Sequence, residues 1–217
     1  MAQQAVPPGF EEAGVSQSLA RYRSQVLDSL QYSISFSVPS QKDIPVTAFE
    51  TITFNWNNGL MDLLVDFKED KDHLKKILLN GASIPVKFKN EHIIISPDYL
   101  RKGRNNLSFN FTAGNLSLNR NDDYLYTLLV PDRARTVFPC FDQPDLKARY
   151  QLNLTIPKNW NAVSSAPVKD SILKSETKTF QYQMSDKIST YLFSFVAGNF
   201  KKVSKNIDGR QMTFYHR

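Results

Sequence analysis

The chain of 217 residues is 41% hydrophobic and 22% charged, which suits one large domain with an apolar core. Its formal net charge is +6, but the basic residues are scattered and no recognition helix or RNA-binding aromatic motif accompanies them, which argues against nucleic acid as a partner. No apolar run is long enough for a transmembrane helix, and no signal peptide is visible. We therefore expect no transmembrane segment, and either an extracytoplasmic protein whose leader has been removed or a cytoplasmic protein.

The first elements are predicted from a chain breaker and a helical repeat. Residues 1–14, which contain a Pro-Pro-Gly breaker, are predicted to form a flexible tail, and residues 15–217 are predicted to form one domain. Apolar residues recur at helical spacing over residues 15–27, where Ser16 or Ser18 could cap the first turn. This pattern predicts a short helix with one face packed on the domain.

After residue 30 the apolar period changes to two, which is typical of strands with one buried face. Residues 30–38 and residues 46–56 both alternate in this way. Asn57-Asn58-Gly59 follows them and predicts a tight hairpin turn. The chain is then predicted to return as a strand over residues 60–67.

The remaining segments continue the same pattern of short strands. Residues 73–79 fit either a helical turn or a strand, and the Asn80-Gly81 pair directly after them favours a strand that feeds a hairpin. So many short strands with hardly any helix indicate an all-β fold, either a sandwich or an open, barrel-like sheet. Further strands are predicted at residues 85–88, 92–95, 107–111, 150–156, 180–184, 191–197, 200–203 and 212–215.

The most informative stretch begins at Pro131 and reads PDRARTVFPCFDQPDLKA. Its three prolines restrict the backbone, which predicts a rigid, irregular connection rather than a helix or a plain strand. The stretch becomes polar at Asp142, which predicts a buried corner whose polar end faces solvent or a partner. Asp142 is expected to cap the turn or to pair with Arg135 or Lys147. Cys140 is the only cysteine, and its apolar surroundings predict a buried structural thiol rather than a catalytic one.

Two parts of the sequence resemble a known family. The run FPCFDQPDLKA resembles the FPCFDEPxxKA signature of the aminopeptidase N family of zinc metallopeptidases (gluzincins), which lies in that family's N-terminal β domain. Residues 189–200, STYLFSFVAGNF, are similar to a later strand pair of that domain, and the resemblance covers about residues 15–216. It implies a twisted, saddle-like β-sandwich that packs beside a catalytic domain. The signature residues are interpreted as structural, and they are Arg135, Phe138, Pro139, Cys140, Phe141, Asp142, Pro144, Lys147 and Ala148.

The resemblance also implies where the chemistry is located. A zinc aminopeptidase of this family carries two histidines and a glutamate in an HExxH motif on a helix, together with a GAMEN motif. Neither motif occurs in this sequence, and His73, His92 and His216 are not expected to bind metal. We therefore expect no metal site in this chain, zinc as the cofactor of a catalytic domain downstream of Arg217, and no peptidase activity of the 217 residues alone.

One position departs from the family pattern. The family usually places Glu or Gln five residues before the arginine that Arg135 matches, where this side chain receives the α-amino group of the substrate. Val130 occupies that position, and Leu128 lies two positions earlier, where several members have Gln. Either the downstream domain holds the α-amino group alone, or a neighbour such as Asp132 substitutes. The alternative for Asp132 is a turn residue or a partner of Arg133 or Arg135.

The resemblance therefore predicts the N-terminal domain of a zinc aminopeptidase that removes single residues from peptide N-termini. The domain would wall one side of the active-site cavity and limit access to it, with the downstream catalytic domain and peptide substrates as partners. A different class of function is a non-catalytic β-sandwich binding module, to which the loss of an acceptor at Val130 gives some weight. A third alternative is a family member with other chemistry, such as a bifunctional enzyme similar to leukotriene hydrolases.

Overall fold

The computed structural model describes residues 7–217. Within this range the chain forms one α-helix, α1 (Gln17–Val26), four short 3-10 helices and seventeen β-strands in four sheets. The prediction of an all-β fold with a short N-terminal helix is confirmed. The 3-10 helices are Lys71–His73, Pro97–Tyr99, Ala134–Thr136 and Thr190–Leu192. The strands are β1 (Leu27–Ser37), β2 (Thr47–Trp56), β3 (Leu63–Asp66), β4 (Leu74–Leu79), β5 (Ala82–Ser83), β6 (Lys87–Lys89), β7 (His92–Ile95), β8 (Gly103–Thr112), β9 (Leu118–Arg120), β10 (Tyr124–Thr127), β11 (Arg149–Pro157), β12 (Asn161–Ser164), β13 (Val168–Leu173), β14 (Thr177–Tyr182), β15 (Phe195–Gly198), β16 (Lys201–Ile207) and β17 (Arg210–His216).

The largest sheet has eight strands in the order β13-β14-β11-β1-β2-β8-β4-β5. Its neighbouring strands are antiparallel except for β1 and β11, which run parallel although they lie far apart in the sequence. A four-stranded sheet has the order β12-β15-β10-β9, and a three-stranded sheet has the order β3-β7-β6. The last two strands, β16 and β17, pair only with each other.

Alternation along β1 explains why one face of the large sheet lies in the core. Tyr32, Ile34 and Phe36 are at most 1% exposed, and the serines between them point to the opposite face. The Tyr32 ring stacks on Tyr150 of β11 at a centroid distance of 4.8 Å, and Tyr150 stacks on Phe193 at 4.7 Å. The centre of the domain is therefore an aromatic cluster, which buries a large apolar area with few residues.

Helix α1 begins where its cap predicts. The Oγ of Ser16 accepts a hydrogen bond from the backbone N–H of Leu19 over 3.2 Å. The buried residues of the helix recur at helical spacing, and β1 starts directly after the last helical residue. They are Leu19, Tyr22, Arg23 and Val26.

The structure differs from the predicted flexible tail where it describes that segment. Residues 1–6 lie outside the described residues, but residues 7–14 pack on the domain. Phe10 is only 2% exposed, and its ring meets the Tyr22 ring edge-on at 5.4 Å. The Nζ of Lys89 lies 3.0 Å from a carboxylate oxygen of Glu11. A breaker sequence predicts irregular backbone, but burial of one aromatic ring holds that backbone in place.

The predicted hairpin at Asn57-Asn58-Gly59 is wrong. The strand before it, β2, pairs with β1 and β8, whereas β3 starts only at residue 63 and pairs with β7 in another sheet. A Cβ atom at Gly59 would lie 2.2 Å from the Oη of Tyr22, so glycine is needed here for a close approach rather than for a hairpin. By contrast, Asn80-Gly81 does connect two paired strands, β4 and β5, as predicted.

Two wholly exposed strands were missed or only partly predicted, because their side chains do not alternate between core and solvent. All six residues of β13 are exposed, and all seven residues of β16, predicted only over its first part, are exposed as well. The short strands β9 and β10 both precede the proline-rich stretch and were not predicted. They position the segment that leads into that stretch, because β10 pairs with β9 on one side and β15 on the other.

Candidate functional site

The corner formed by the FPCF run is completely buried. Phe138, Cys140 and Phe141 have no exposed surface, and Cys140 is a free thiol. The backbone N–H of Cys140 donates to the carbonyl oxygen of Asp66 over 3.0 Å, and the N–H of Asp66 donates to the carbonyl of Cys140 over 2.8 Å. Burial raises the pKa of the Cys140 thiol well above its ordinary value, so the thiol stays protonated and unreactive.

The corner is joined to the aromatic core and to the later motif. The Phe138 ring meets Tyr32 and Phe193 edge-on, at 6.4 and 5.7 Å. The hydroxyl of Thr190 donates to the carbonyl of Phe141 over 3.1 Å, and the hydroxyl of Tyr150 in turn donates to Thr190 over 3.1 Å. The two segments that carry the family resemblance therefore contact each other directly in the structure.

A buried charge cluster lies beneath this corner and is centred on Asp66. Arg23 of α1 donates to both carboxylate oxygens of Asp66, over 2.6 and 2.9 Å, and to the carbonyl of Leu64. The backbone N–H of Asp142 donates to the same carboxylate over 2.8 Å. Burial alone would raise the pKa of Asp66, but Arg23 and His92 outweigh it and hold the pKa below its ordinary value. Asp66 is therefore ionised inside the core.

His92 completes the cluster from β7. Its side chain is fully buried, its Nδ1 lies 2.9 Å from a carboxylate oxygen of Asp66, and its Nε2 lies 2.9 Å from the carbonyl oxygen of Glu12. The contact of Nδ1 with Asp66 is short but is not aligned as a hydrogen bond. His73 is only partly buried, with Nδ1 3.1 Å from the carbonyl of Thr112. His92 therefore lies in the core, with Nδ1 against the carboxylate of Asp66 and Nε2 against the carbonyl oxygen of Glu12.

Arg135 forms a second charged group at the edge of the corner. Its Nη2 lies 3.1 Å from Asp132, its Nε lies 3.3 Å from Glu91, and its Nη1 lies 3.7 Å from Asp142. The backbone N–H of Arg135 also donates to the Asp142 carboxylate over 3.1 Å. Burial raises the pKa of Asp142 to about 6, although the Arg135 N–H and side chain act against this rise.

The polar end of the corner is placed differently from the expectation that it faces solvent or a partner. Asp142 is 4% exposed and Gln143 is 2% exposed. The side-chain amide of Gln143 donates to the carbonyl of Ala20 over 3.0 Å and to the hydroxyl of Ser24 over 3.1 Å. Helix α1 therefore covers this end, which explains why two polar residues can be buried there. Pro144 and Lys147 beyond it are exposed.

The residues predicted on the substrate side follow β10. Leu125, Thr127 and Leu129 are buried, whereas the intervening positions are exposed. Leu128 is 48% exposed and Val130 is 51% exposed, so both point away from the core. The exposed residues on this side are Tyr126, Leu128 and Val130, followed by Asp132. Because alternate residues of an extended segment point the same way, Tyr126, Leu128 and Val130 form one line, and Asp132 lies beyond it in the turn that follows.

The exposed face of the four-stranded sheet lies beside this line of side chains. Tyr126 lies opposite Val196 of β15, and Val196 lies opposite Val163 of β12. Tyr126 is 39% exposed and Val163 is 38% exposed, and the Tyr126 ring stacks on Tyr124 at 6.4 Å. This sheet therefore presents an exposed, mostly apolar surface that adjoins Leu128.

The described residues contain no donor set for a metal ion. Nowhere in residues 7–217 do three or more His, Cys, Asp or Glu side chains converge as metal ligands. The carboxylates nearest to a histidine are that of Asp66, which Arg23 pairs at 2.6 Å, and that of Glu69, which lies 3.8 Å from His73. Residues 7–217 therefore offer zinc no candidate donor set. Within the described range, no helix is long and apolar enough to cross a membrane.

The cluster around Asp66 is only weakly indicated by the sequence. Arg23 falls in the buried stripe of α1, and Asp66 interrupts an apolar run, so each is a charge where an apolar residue is expected. That combination is a usable signal for a buried pair. Nothing in the spacing indicates that the two residues meet, or that Cys140 pairs with Asp66.

Comparison with known proteins connects these features to one group. The family model described as the Peptidase M1 N-terminal domain matches residues 29–192. Aminopeptidase N of Acetobacter pasteurianus is 40% identical over 83 residues, which cover 38% of this chain and 23% of that protein. Aminopeptidase N of Streptomyces lividans is 27% identical over 196 residues, which cover 85% of this chain and 22% of that protein. The matched part thus spans less than a quarter of either relative.

A solved structure has the same fold. The M1 zinc metallopeptidase from Deinococcus radiodurans superimposes with a TM-score of 0.68 at 18% sequence identity. The match covers 88% of this chain and 46% of that chain. At this low identity the likeness concerns the fold alone.

Proposed function

The chain belongs to the Peptidase M1 N-terminal domain family, and from this we propose that it is the N-terminal domain of a zinc aminopeptidase that releases single amino acids from peptide N-termini. The role we assign to the domain is to form one wall of the active-site cavity and to limit access to it. The match over residues 29–192 carries this proposal, together with relatives that are named aminopeptidases. The zinc and the catalytic residues belong, in this proposal, to polypeptide that follows Arg217.

The apolar surface beside β10 supports the assignment of a wall. Tyr126, Leu128 and Val130 are exposed in one line, and Val130 is the position where the family resemblance places the residue that receives the substrate α-amino group. Leu128 is held by its N–H, which donates to the carbonyl of Ser117 over 2.9 Å. A line of apolar side chains on a fixed backbone suits contact with the side chain of a bound peptide.

The charged residues beside this surface bear on which part of the protein binds the α-amino group of the substrate. Val130 cannot accept a hydrogen bond from an ammonium group. Asp132 is exposed, but its carboxylate is already engaged by Arg135 at 3.1 Å. An ammonium group would have to compete with that arginine for the same oxygens. We therefore assign recognition of the α-amino group to the downstream domain, with Asp132 as a structural partner of Arg135.

The test begins with the full-length gene product. We expect it to hydrolyse leucine p-nitroanilide but not the N-acetylated analogue, to lose activity with a zinc chelator and to regain it when zinc is added. If the folded, zinc-loaded full-length product does not hydrolyse leucine p-nitroanilide, the proposal is contradicted and the non-catalytic binding module is favoured.

The wall is tested separately with Leu128→Ser in the active enzyme. Loss of an apolar contact in a substrate pocket lowers kcat/KM by about five- to thirtyfold, which corresponds to about 1–2 kcal/mol. The matched control is Leu173→Ser, since Leu173 is 69% exposed but lies on the edge of the large sheet. We also expect an unchanged KM for Asp132→Asn. Equal kinetics for both leucine variants would refute the wall, and a raised KM for Asp132→Asn would reassign the α-amino group to Asp132.

A further inference from the structure

The outward face of the large sheet is built almost entirely from uncharged polar side chains. Its four central strands, β11, β1, β2 and β8, lie side by side, and their register aligns four outward positions on each strand. These positions form four rows of four side chains, which we call the polar grid, and none of them is buried. In order, the rows are Arg149, Gln31, Thr53 and Asn106; Gln151, Ser33, Thr51 and Ser108; Asn153, Ser35, Phe49 and Asn110; and Thr155, Ser37, Thr47 and Thr112.

The lack of charge in the polar grid limits the chemistry of a partner. The grid contains one ionisable side chain, Arg149, which lies at a corner and donates to the carbonyl of Ser185 over 3.1 Å. By contrast, 22% of all residues in the chain are charged. An anionic or cationic partner would therefore find almost no opposite charge on this face, so the face suits a neutral, polar ligand.

Hydrogen bonding divides the polar grid into two halves. In the first two rows the hydroxyls of Thr51 and Ser108 bond each other at 2.9 Å, and the hydroxyl of Thr53 donates to the side-chain oxygen of Asn106 over 2.9 Å. Within residues 7–217, no side-chain bond of this kind joins β2 to β8 in the last two rows. The hydroxyl and amide groups of β2 and β8 in those rows can therefore donate to a ligand and accept from it.

A depression of about 420 Å³ lies over these last two rows, which is within the size range of small-molecule sites. Phe49 lines it and is the one aromatic side chain of the grid, with 47% of its surface exposed. It lies directly opposite Ser35 on one side and Asn110 on the other, so an apolar ring is bordered by a hydroxyl and an amide. Lys75 at the rim donates to the carbonyl of Asp72, so its ammonium group already has a partner.

A sugar ring matches this combination of groups. One face of a pyranose ring presents C–H groups, which pack against the negative face of an aromatic ring, and its edge presents hydroxyls that bond to hydroxyl and amide side chains. We propose that the depression around Phe49 is a binding site for a neutral carbohydrate. The ring of Phe49 is the stacking platform, and the side chains of Asn110 and Thr112 are the hydrogen-bond partners. The site lies on a different sheet from the line of Tyr126 and Leu128, so it does not depend on the proposed function.

The experiment is isothermal titration calorimetry of the full-length gene product with cellohexaose, maltohexaose, laminarihexaose and chitohexaose, and with polygalacturonate as an anionic probe. We expect at least one of the four neutral oligosaccharides to bind with a Kd in the millimolar range or tighter, and polygalacturonate not to bind. Phe49→Ala should weaken this binding by at least about fivefold, whereas Phe49→Tyr keeps the ring and should stay within about twofold of the wild type. The matched control is Tyr99→Ala, which should leave the Kd unchanged, because Tyr99 is 44% exposed but lies in a 3-10 helix outside the grid.

Four results would overturn the inference. Three come from the calorimetry: no binding of any of the four neutral oligosaccharides, equal binding of polygalacturonate, or a Kd that Phe49→Ala leaves unchanged. The fourth comes from peptide masses of the native gene product, because Asn106, Asn110 and Asn153 of the grid each begin an Asn-X-Ser/Thr acceptor sequence. An N-glycan attached to Asn110 or Asn153 would itself occupy the depression and leave no room for a free carbohydrate.

Discussion

The buried pair of Arg23 and Asp66 makes a strong prediction about stability. Both side chains are fully buried, and Arg23 donates two hydrogen bonds to the carboxylate. Arg23→Met keeps most of the alkyl volume but removes the charge that compensates Asp66. Loss of one partner of a buried ion pair destabilises a protein by about 3–5 kcal/mol. Because domains are stable by about 5–15 kcal/mol, this loss is a large fraction of the total.

The assay is urea unfolding monitored by tryptophan fluorescence, with the free energy of unfolding taken from linear extrapolation. The control is Arg21→Met on the same helix, where the side chain is exposed and the change should stay within about 0.5 kcal/mol. A cycle with Asp66→Asn should give a coupling energy of about 1–3 kcal/mol between the two positions. A loss below about 1 kcal/mol for Arg23→Met would refute the reasoning, because Asp66 would then be compensated without the arginine.

The same pair predicts the direction of a pH effect. The pKa of Asp66 is lowered in the folded protein, so its contribution is fully present above the ordinary carboxyl range. It is lost as the pH falls through the folded pKa, where the carboxylate becomes protonated. The difference in stability between wild type and Arg23→Met should therefore shrink below about pH 4. A difference that stays constant down to pH 2 would contradict an ionised Asp66.

Three further predictions concern other buried groups. Glu50 is fully buried, neither of its carboxyl oxygens has a hydrogen-bond partner, and burial raises its pKa well above the ordinary value. Glu50→Met should therefore stabilise the domain by about 1–3 kcal/mol, and the gain in the free energy of unfolding should grow as the pH rises above the ordinary carboxyl range. The control Glu176→Met, at an exposed position, should change the free energy of unfolding little. The pKa of Asp142 is raised to about 6, so stability should increase as the pH falls from about 6 to 4 in wild type, and in unfolding curves Asp142→Asn should lose this increase. Cys140 should react with a thiol reagent only after unfolding, and rapid labelling of the native protein would contradict its burial.

Regular alternation made parts of the fold predictable from the sequence. In β1 a one-residue shift would turn Tyr32, Ile34 and Phe36 out of the core, so the pattern in the sequence has one structural solution. β13 has no such constraint, since all its residues are exposed and it is held by pairing with β14. The strand conformation of β13 depends on pairing with β14, which the sequence pattern of β13 does not indicate. The hairpin prediction at Gly59 failed for a related reason, because the need for glycine there comes from the side chain of Tyr22 in helix α1.

The candidate site was less accessible to sequence reasoning than the fold. The family signature indicated that the segment from Phe138 to Ala148 is structural, but the residues that it contacts lie elsewhere in the chain. Cys140 pairs with Asp66 of β3, and Gln143 reaches back to α1. Such contacts depend on how three elements pack together. The spacing of residues within one segment does not predict them. The outward positions of Leu128 and Val130 continue the alternation along β10, but β10 itself was not predicted from the sequence.

The contacts of the signature segment connect it to the neighbourhood of the exposed apolar line of Tyr126, Leu128 and Val130. The backbone of Cys140 and the N–H of Asp142 both bond to Asp66, so the corner is fixed to the buried charge cluster. The carboxylate of Asp142 then receives the N–H of Arg135, and Arg135 holds Asp132. Asp132 directly follows the stretch that exposes Val130. A series of hydrogen bonds thus runs from the buried cluster to Asp132, two residues after Val130, and a change such as Arg23→Met should loosen this segment even though Arg23 lies in the core.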